Sequence, residues 1–271
     1  MKIIELVSFD DVKDFVKTEE VISSQLKSLK DKINTEYVYV SMPIADLINK
    51  QGISYTQNLI DQVCKNNKEK LFFVCQHIDV KKLNFYHNLV FTPHATILDS
   101  YVAIPHYTCN FDIKYSKPWK DRKYKFGFVG SFSTHPIRSK IYNLLKNRED
   151  CLIVDTGGWH FQNEKIQREK NEKSYIEVLG DTKYSLCPRG TGPSTIRLWE
   201  SIAMNSKPVI ISDYLKIPMV ENLDQYWIKI PEKEENYDLL SSEQQYDNKF
   251  YWDNFSNENL SKSVVNYITN K

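Results

Sequence analysis

The sequence lacks several features that mark membrane, secreted or nucleic-acid-binding chains. Its formal net charge is +1 at pH 7, and no basic block stands out, so charge gives no case for binding nucleic acid or a membrane surface. No run approaches the ~20 apolar residues of a membrane span. The apolar start is broken by acidic residues too early for a secretory signal. We expect a soluble, cytoplasmic protein with no transmembrane segment.

Cysteine pairs and two familiar nucleotide-binding motifs are missing as well. The five cysteines include no CxxC pair in a chain of 271 residues, which indicates reduced thiols rather than a disulfide framework. GxxxxGK[ST] does not occur, and Gly190-Thr191-Gly192 is not followed by the x-x-Gly of a dinucleotide fingerprint. A kinase-like nucleotide enzyme is therefore the weakest interpretation.

What is present is an alternation of apolar runs and helical spacings. The runs predict strands at 36–42, 71–76, 89–92, 101–104, 125–130, 151–155, 184–187 and 209–212. The helical spacings predict helices at 53–64, 136–146, 164–179, 193–205 and 260–268. Strands and helices that alternate in this way predict an α/β fold with parallel sheets.

A polar segment that contains a proline separates two apolar regions at 115–125. We place a domain boundary there, which gives domains at 1–120 and 121–271. The last helix is free to pack back on the first domain.

The most informative stretch is 184–218, where strand, glycine-rich turn, helix and strand follow one another. A turn ending at Gly192 lets the backbone approach a ligand closely. A helix that begins there offers free N–H groups and the hydroxyls of Ser194 and Thr195, which suits a diphosphate. The carboxyl ends of strands, where this turn lies, are the usual ligand edge of such sheets.

Two charged residues share a face of that predicted helix. Arg197 can neutralise a phosphate, and Glu200 can accept hydrogen bonds from ribose hydroxyls. The alternative is that they form an ordinary solvated surface pair.

The stretch 184–218 resembles the signature of the exostosin-like glycosyltransferases. That family carries Cys-Pro-Arg-Gly, a Pro-Ser pair, Arg-Leu-x-Glu, and Pro-Val-Ile-Ile before an acidic residue and a further proline. The matching positions here are 187–190, 193–194, 197–200, 208–211, Asp213 and Pro218. A weaker similarity at 126–139 extends the resemblance over roughly 125–218.

The resemblance implies a GT-B architecture, in which two Rossmann-like domains face a cleft. Domain 1–120 is then the acceptor side, and domain 121–271 binds the nucleotide sugar. The implied reaction is inverting transfer of a sugar from that donor to a glycan hydroxyl. The donor-binding candidates are Ser131, Arg138, Arg189, Gly192, Ser194, Thr195, Arg197, Glu200 and Asp213.

No metal cofactor is expected. The sequence contains no Asp-x-Asp motif, so positive groups must stabilise the leaving diphosphate in place of a cation. Arg138, Arg197 and the N-terminus of the helix that follows Gly192 are the candidates for that role, with Arg189 in reserve.

The chain also departs from the animal members of the family. Those are anchored in the Golgi membrane, often with a second catalytic domain, and this sequence shows neither feature. It resembles most the capsid-glycan glycosyltransferases of large algal DNA viruses, some of which transfer xylose. This similarity predicts UDP-xylose as donor, an oligosaccharide or glycoprotein glycan as acceptor, and the host cytoplasm as location.

Inversion by single displacement needs a general base that reaches the acceptor hydroxyl. His77 and Asp79 follow the strand at 71–76, and His94 and His106 follow the next two predicted strands. We favour Asp79 and His94, with His77 and His106 as alternatives. Any of these histidines has a competing interpretation as an ordinary loop or core residue. A second hypothesis for the whole chain is a non-catalytic protein that binds a nucleotide sugar or glycan.

Overall fold

The computed structural model describes residues 1–9, 17–158, 165–218, 223–237 and 248–270. The chain forms two compact units. The first comprises Met1–Tyr107, Tyr214–Val220 and Asn254–Lys271, and the second comprises Thr108–Asp213 and Glu221–Asp253. None of the helices in the described ranges has the length and apolar character that crossing a membrane requires.

The first unit contains a sheet of five parallel strands whose spatial order follows the chain. The strands are β1 (Lys2–Glu5), β2 (Tyr37–Ser41), β3 (Lys70–Val74), β4 (Leu89–Thr92) and β5 (Val102–Ala103). Its first three helices are α1 (Lys17–Leu29), α2 (Ile44–Gln51) and α3 (Ile53–Asn66). The sequence predicted neither β1 nor the helices α1 and α2.

Both faces of this sheet are buried. Successive strand residues point to opposite sides, so each strand supplies side chains to both faces. One face carries Val38, Leu71, Phe73 and Val90 and packs with residues of α2 and α3 such as Ile44 and Ile60. The other carries Tyr39, Phe72, Val74 and Phe91 and packs with Ile22 and Leu26 of α1. Burial on both faces explains why these strands read as continuous apolar runs.

The second unit contains a five-stranded parallel sheet with the spatial order β10-β9-β8-β6-β7. Its strands are β6 (Tyr124–Gly130), β7 (Cys151–Asp155), β8 (Thr182–Pro188), β9 (Lys207–Ile211) and β10 (Ile228–Ile230). The helices between them are α4 (Pro136–Leu145), α5 (Lys165–Gly180) and α6 (Arg197–Ala203). The chain runs from β6 to β7 on one side and then to β8 on the other, so a topological switch point lies between β6 and β8.

Two helices complete the chain, α7 (Lys249–Asn254) and α8 (Lys262–Thr269). The α8 residues Val264 and Ile268 are buried in the same core as Ile22 and Phe72 of the first unit. The two parallel sheets confirm the predicted α/β class. The cleft expected between the two domains stays a prediction.

The segment predicted to separate the domains belongs to the second unit. Trp119 is 8% exposed and packs edge-on against Tyr184, with 5.4 Å between the ring centroids. Arg122 donates hydrogen bonds to the carbonyl oxygens of Thr182 (2.6 Å) and Met204 (2.7 Å). The units divide between Tyr107 and Thr108, whereas the sequence placed the boundary at 120/121.

The helix predicted at 193–205 begins later than expected, at Arg197, and ends at Ala203. The Ser212 hydroxyl, just after β9, donates a hydrogen bond to Pro193 O at 2.8 Å. That bond holds the turn before this helix against the end of β9. Ser194 and Thr195 therefore lie in the turn rather than in the first helical turn, which corrects the predicted helix N-terminal site.

Candidate functional site

The ends of β6 and β8 meet at the switch point of the second unit, and Arg138 connects them. Its Nε donates a hydrogen bond to Arg189 O at 3.0 Å, and its Nη1 donates to Ser131 O at 2.9 Å. Gly190 allows this close approach, since a Cβ there would lie 3.0 Å from Arg138 Nη2. One guanidinium thus holds both strand ends at the edge where parallel sheets bind ligands.

Arg197 brings a second guanidinium to the same place. It is 9% exposed, and its Nη2 donates a hydrogen bond to Val129 O in β6. Its guanidinium carbon lies 4.2 Å from the centroid of the Phe128 ring, and that of Arg138 lies 5.4 Å from the same centroid. A glycine again allows the close approach, since a Cβ on Gly130 would lie 2.9 Å from Arg197 Nη2.

These two arginines carry charge that the described residues leave unpaired. Neither guanidinium forms an ion pair with a carboxylate of a described residue. Arg197 Nε and Nη1 are buried and have no hydrogen-bond partner among the described residues. Burial, reinforced by the charge of Arg197, lowers the pKa of Arg138 to about 9. Buried donors are normally satisfied, so this pair has the electrostatics of an anion site.

The remaining donor-binding candidates of this region make contacts of their own. Ser131 is buried, and its Oγ lies 2.8 Å from Ser133 Oγ. Arg189 Nη1 lies 3.9 Å from Glu232 Oε1. Gly192, Ser194 and Thr195 lie in the turn between β8 and α6.

Sequence reasoning missed His135, which precedes α4. Its Nδ1 accepts a hydrogen bond from Ile137 N–H at 3.3 Å and so caps the helix. Burial lowers the pKa of His135, and the charges of Arg189 and Arg138 lower it further, against an opposing effect of Glu232. The sequence signal for His135 is its position directly before Pro136, because proline favours the first position of a helix and the residue before it is then the cap.

Glu200 is occupied by donors from the protein itself. It is 2% exposed, so the alternative of a solvated pair with Arg197 is wrong. Its Oε1 accepts a hydrogen bond from Asn110 N–H at 2.9 Å, and its Oε2 accepts one from the Tyr175 hydroxyl at 2.5 Å. Burial raises the pKa of Glu200, although these hydrogen bonds oppose the rise. A contact between Glu200 and ribose stays a prediction.

Asp213 is exposed and exchanges hydrogen bonds with Glu232. Its N–H donates to Glu232 Oε1 at 3.1 Å, and Glu232 N–H donates to Asp213 Oδ1 at 2.9 Å. The pair fixes the end of β9, and the second carboxylate oxygen of Asp213 has no hydrogen bond with a described residue.

In the first unit, two base candidates form a buried pair. His94 and His106 are 5% and 6% exposed, and their ring centroids lie 5.2 Å apart at an interplanar angle of 74°. Burial lowers the pKa of His94 to about 4 and that of His106 well below its ordinary value. His94 Nδ1 and His106 Nε2 have no hydrogen-bond partner among the described residues.

The other two base candidates lie in the turn after β3. His77 Nδ1 accepts a hydrogen bond from Asp79 N–H at 3.0 Å, and its Nε2 lies 3.2 Å from Asn49 Oδ1. Because Nδ1 is an acceptor, the neutral ring carries its proton on Nε2 and donates to Asn49. Asp79 pairs with Lys82 at 3.0 Å and is about one-third exposed (35%).

A buried carboxyl group near these residues was not predicted. Glu19 of α1 is fully buried, and its oxygens accept hydrogen bonds from the N–H groups of Ala45 and Gln76. Burial raises the pKa of Glu19 to about 8. Across the described ranges, no three His, Cys, Asp or Glu side chains are grouped so as to hold a metal ion.

Fold and site together define an α/β protein with an arginine-rich site at the strand switch point of its second unit. The chain belongs to the exostosin GT47 domain family, whose model matches residues 65–241. It is 27% identical to an exostosin-1 homolog of Caenorhabditis elegans, over 63% of this chain and 53% of that protein. It is 30% identical to ribitol-5-phosphate xylosyltransferase 1 of Danio rerio, over 34% of this chain and 21% of that protein.

The chain thus spans about half the length of the first relative and about a fifth of the second. Both are animal proteins, and the viral affiliation expected from the sequence has no support. The solved GtfA/B complex is similar at 11% identity with a TM-score of 0.39, over 93% of this chain and 61% of that one.

Proposed function

We propose that this chain is an inverting glycosyltransferase that moves a sugar from a nucleotide-sugar donor to a glycan hydroxyl. Membership of the exostosin GT47 domain family supports the class of reaction. The observation that carries the proposal is the pair Arg138 and Arg197, one partly buried and one buried guanidinium group over the same aromatic ring, with no carboxylate partner in the described chain. Such a pair suits the two negative phosphates of a nucleoside diphosphate.

The second unit is the proposed donor side. Its sheet has a switch point between β6 and β8, and nucleotide ligands of such sheets bind outside the strand ends at that point. The first sheet has its five strands in sequential order, so it offers no equivalent crevice among the described strands. The acceptor side is then the first unit.

UDP-xylose is the proposed donor. One relative of this chain is named as a xylosyltransferase, which favours xylose over other sugars. The acceptor oxygen attacks the anomeric carbon of the xylose, while the bond from that carbon to the β-phosphate oxygen breaks. UDP leaves with the bonding electrons, the base takes the acceptor proton, and the configuration at the anomeric carbon inverts.

Arginine charge is proposed to take the place of a metal ion. In this proposal Arg138 and Arg197, with Arg189 in reserve, stabilise the charge that develops on the leaving diphosphate. Donors held in place before the reaction stabilise such charge most effectively in a site that excludes water.

Asp79 and His94 remain the two proposed bases, and the structure separates their chemistry. Asp79 is partly exposed and forms an ion pair with Lys82. His94 is neutral, since burial lowers its pKa to about 4, and its Nδ1 is without a partner among described residues. His77 fits less well because its Nδ1 is already engaged and its Nε2 carries the proton.

The test is a panel of UDP-, GDP- and CDP-sugars, read out by thermal shift and by release of the nucleotide diphosphate. A bound donor at 100 times its Kd should add about 2.7 kcal/mol to the free energy of unfolding. We expect UDP-xylose to stabilise the protein and to be turned over.

The matched control is Arg148→Ala. Arg148 also lies over a phenylalanine ring in the second unit, but it is paired with Asp150 at 2.8 Å. Arg138→Ala should abolish the donor-induced shift, and Arg148→Ala should keep it. Stabilisation without any turnover or hydrolysis would favour the non-catalytic binding protein, and no stabilisation by any donor would overturn both functions.

A further inference from the structure

Arg197 and Glu200 lie one turn apart on α6, a spacing at which arginine and glutamate usually pair. Both are buried, where a direct ion pair would be the expected compensation. They nevertheless form no ion pair, and Arg197 keeps two donor nitrogens without a partner in the described chain. Something else must hold the carboxylate of Glu200.

That carboxylate is satisfied by three donors that carry no charge. The backbone N–H groups of Asn110 and Cys109 donate to its Oε1 at 2.9 and 3.4 Å. The hydroxyl of Tyr175, on α5, donates to its Oε2 at 2.5 Å. Burial raises the pKa of Tyr175 well above its ordinary value, so the hydroxyl keeps the proton it donates.

Tyr175 contacts the arginine as well as the glutamate. The guanidinium carbon of Arg197 lies 5.3 Å from the centroid of the Tyr175 ring and 4.2 Å from that of Phe128. Two aromatic rings therefore stabilise the cation by cation–π attraction, without consuming its hydrogen-bond donors. One side chain fixes the position of Arg197 and engages the anion that would otherwise neutralise it.

We propose that Tyr175 is a positioning residue that keeps the charge of Arg197 available to the donor diphosphate, by engaging Glu200 through its hydroxyl and Arg197 through its ring. This inference rests on the proposed function. It differs from a purely structural role in one respect, because it makes Glu200 a competitor of the donor whenever the tyrosine hydroxyl is removed.

The experiment compares UDP and inorganic pyrophosphate binding by calorimetry in the wild type, Tyr175→Phe, and Tyr175→Phe with Glu200→Gln. Tyr175→Phe keeps the ring over Arg197 but frees Oε2 of Glu200. We expect it to weaken both ligands about tenfold or more, the size of one charge-assisted hydrogen bond. The added Glu200→Gln removes the competing charge and should recover most of the pyrophosphate affinity. Pyrophosphate is included because it lacks the ribose that Glu200 was predicted to bind.

Tyr142→Phe is the matched control, since that tyrosine lies in the same unit and its ring contacts Phe132 and Lys146 instead. It should bind both ligands as the wild type does. Unchanged binding by Tyr175→Phe, alongside weakened binding by Arg197→Ala, overturns the positioning role and leaves the proposed function intact. A loss in Tyr175→Phe that the second substitution does not recover also overturns it. A wild type that binds neither ligand overturns the positioning role and the proposed function together.

Discussion

The guanidinium groups of Arg138 and Arg197 lie over the same ring, that of Phe128, at 5.4 and 4.2 Å from its centroid. The aromatic ring attracts both cations, while their like charges repel each other at short range in a poorly solvated place. An anion bound by both groups would relieve the repulsion and use the free donors of Arg197. The arrangement therefore predicts opposite effects of substitution on stability and on ligand binding.

Arg197→Met should weaken UDP binding by at least about tenfold without lowering the stability of the free protein. Replacing a buried, unpaired cation with an apolar side chain of similar length is often neutral or stabilising, whereas a lost phosphate contact reduces affinity directly. Thermal melts with and without UDP measure both effects. If the melting temperature of the ligand-free protein falls while the UDP-induced shift is unchanged, Arg197 is a structural residue.

The base should be separable from the donor contacts by substitution. Loss of the true base should reduce turnover by about 10²–10⁴-fold and leave UDP affinity nearly intact. Asp79→Asn and His94→Ala are the first variants, with His77→Ala and His106→Ala beside them. Near-normal turnover in all four would show that the base lies elsewhere, and joint loss of turnover and UDP affinity would indicate a structural or donor-binding residue.

Transfer should persist in excess EDTA, because arginine charge is proposed to stabilise the leaving diphosphate. Turnover of the donor, before and after chelation and again after addition of Mn²⁺ or Mg²⁺, is the measurement. An enzyme that stops on chelation and recovers with either cation contradicts the metal-free mechanism.

Acid should remove the contribution of neutral His94 to the stability of the first unit. The pKa of His94 is about 4 in the folded protein against an ordinary 6.5. Between these two pH values His94 is protonated in the unfolded chain and neutral in the folded chain. The contribution of His94 is fully present above pH 6.5 and is lost as pH falls to about 4, which amounts to roughly 3 kcal/mol. Urea unfolding between pH 7 and pH 4 measures this contribution as the difference between the wild type and His94→Gln. The comparison is needed because burial raises the pKa of Glu19 to about 8, so protonated Glu19 adds stability as pH falls.

His94→Gln should lack that contribution and so be less destabilised by acid than the wild type. His87 is exposed, so His87→Gln is the control and should show the same pH dependence of stability as the wild type. Equal pH dependence of the wild type and His94→Gln would mean that His94 titrates normally.

The parts of the fold that the sequence predicted are those whose strands are buried on both faces. β3 and β9 are almost entirely apolar and buried, and α4 begins at the proline that was expected to start it. β1 was missed because it has only four residues and the charged residues at its two ends are exposed, and β10 because it has only three residues with an exposed lysine in the middle.

The candidate site was predictable only in its location along the chain. The glycine turn after β8 and the arginine after it are visible as a motif. The convergence of Arg138 and Arg197 on Phe128 depends on the register of β6 against β8 and on the direction of two long side chains. The engagement of Glu200 by Tyr175 joins two helices, and spacing along a single helix could not reveal it.

The first unit is assembled from both ends of the chain, and this has a consequence for synthesis on the ribosome. Domains usually fold as they emerge, starting from the amino terminus. Here the sheet of the first unit is translated early, but α8, which supplies Val264 and Ile268 to its core, is made after the second unit. The described strands of the second unit are complete at Ile230, so that unit can mature while Phe91 of the nascent first unit still lacks its contact with Tyr267 of α8.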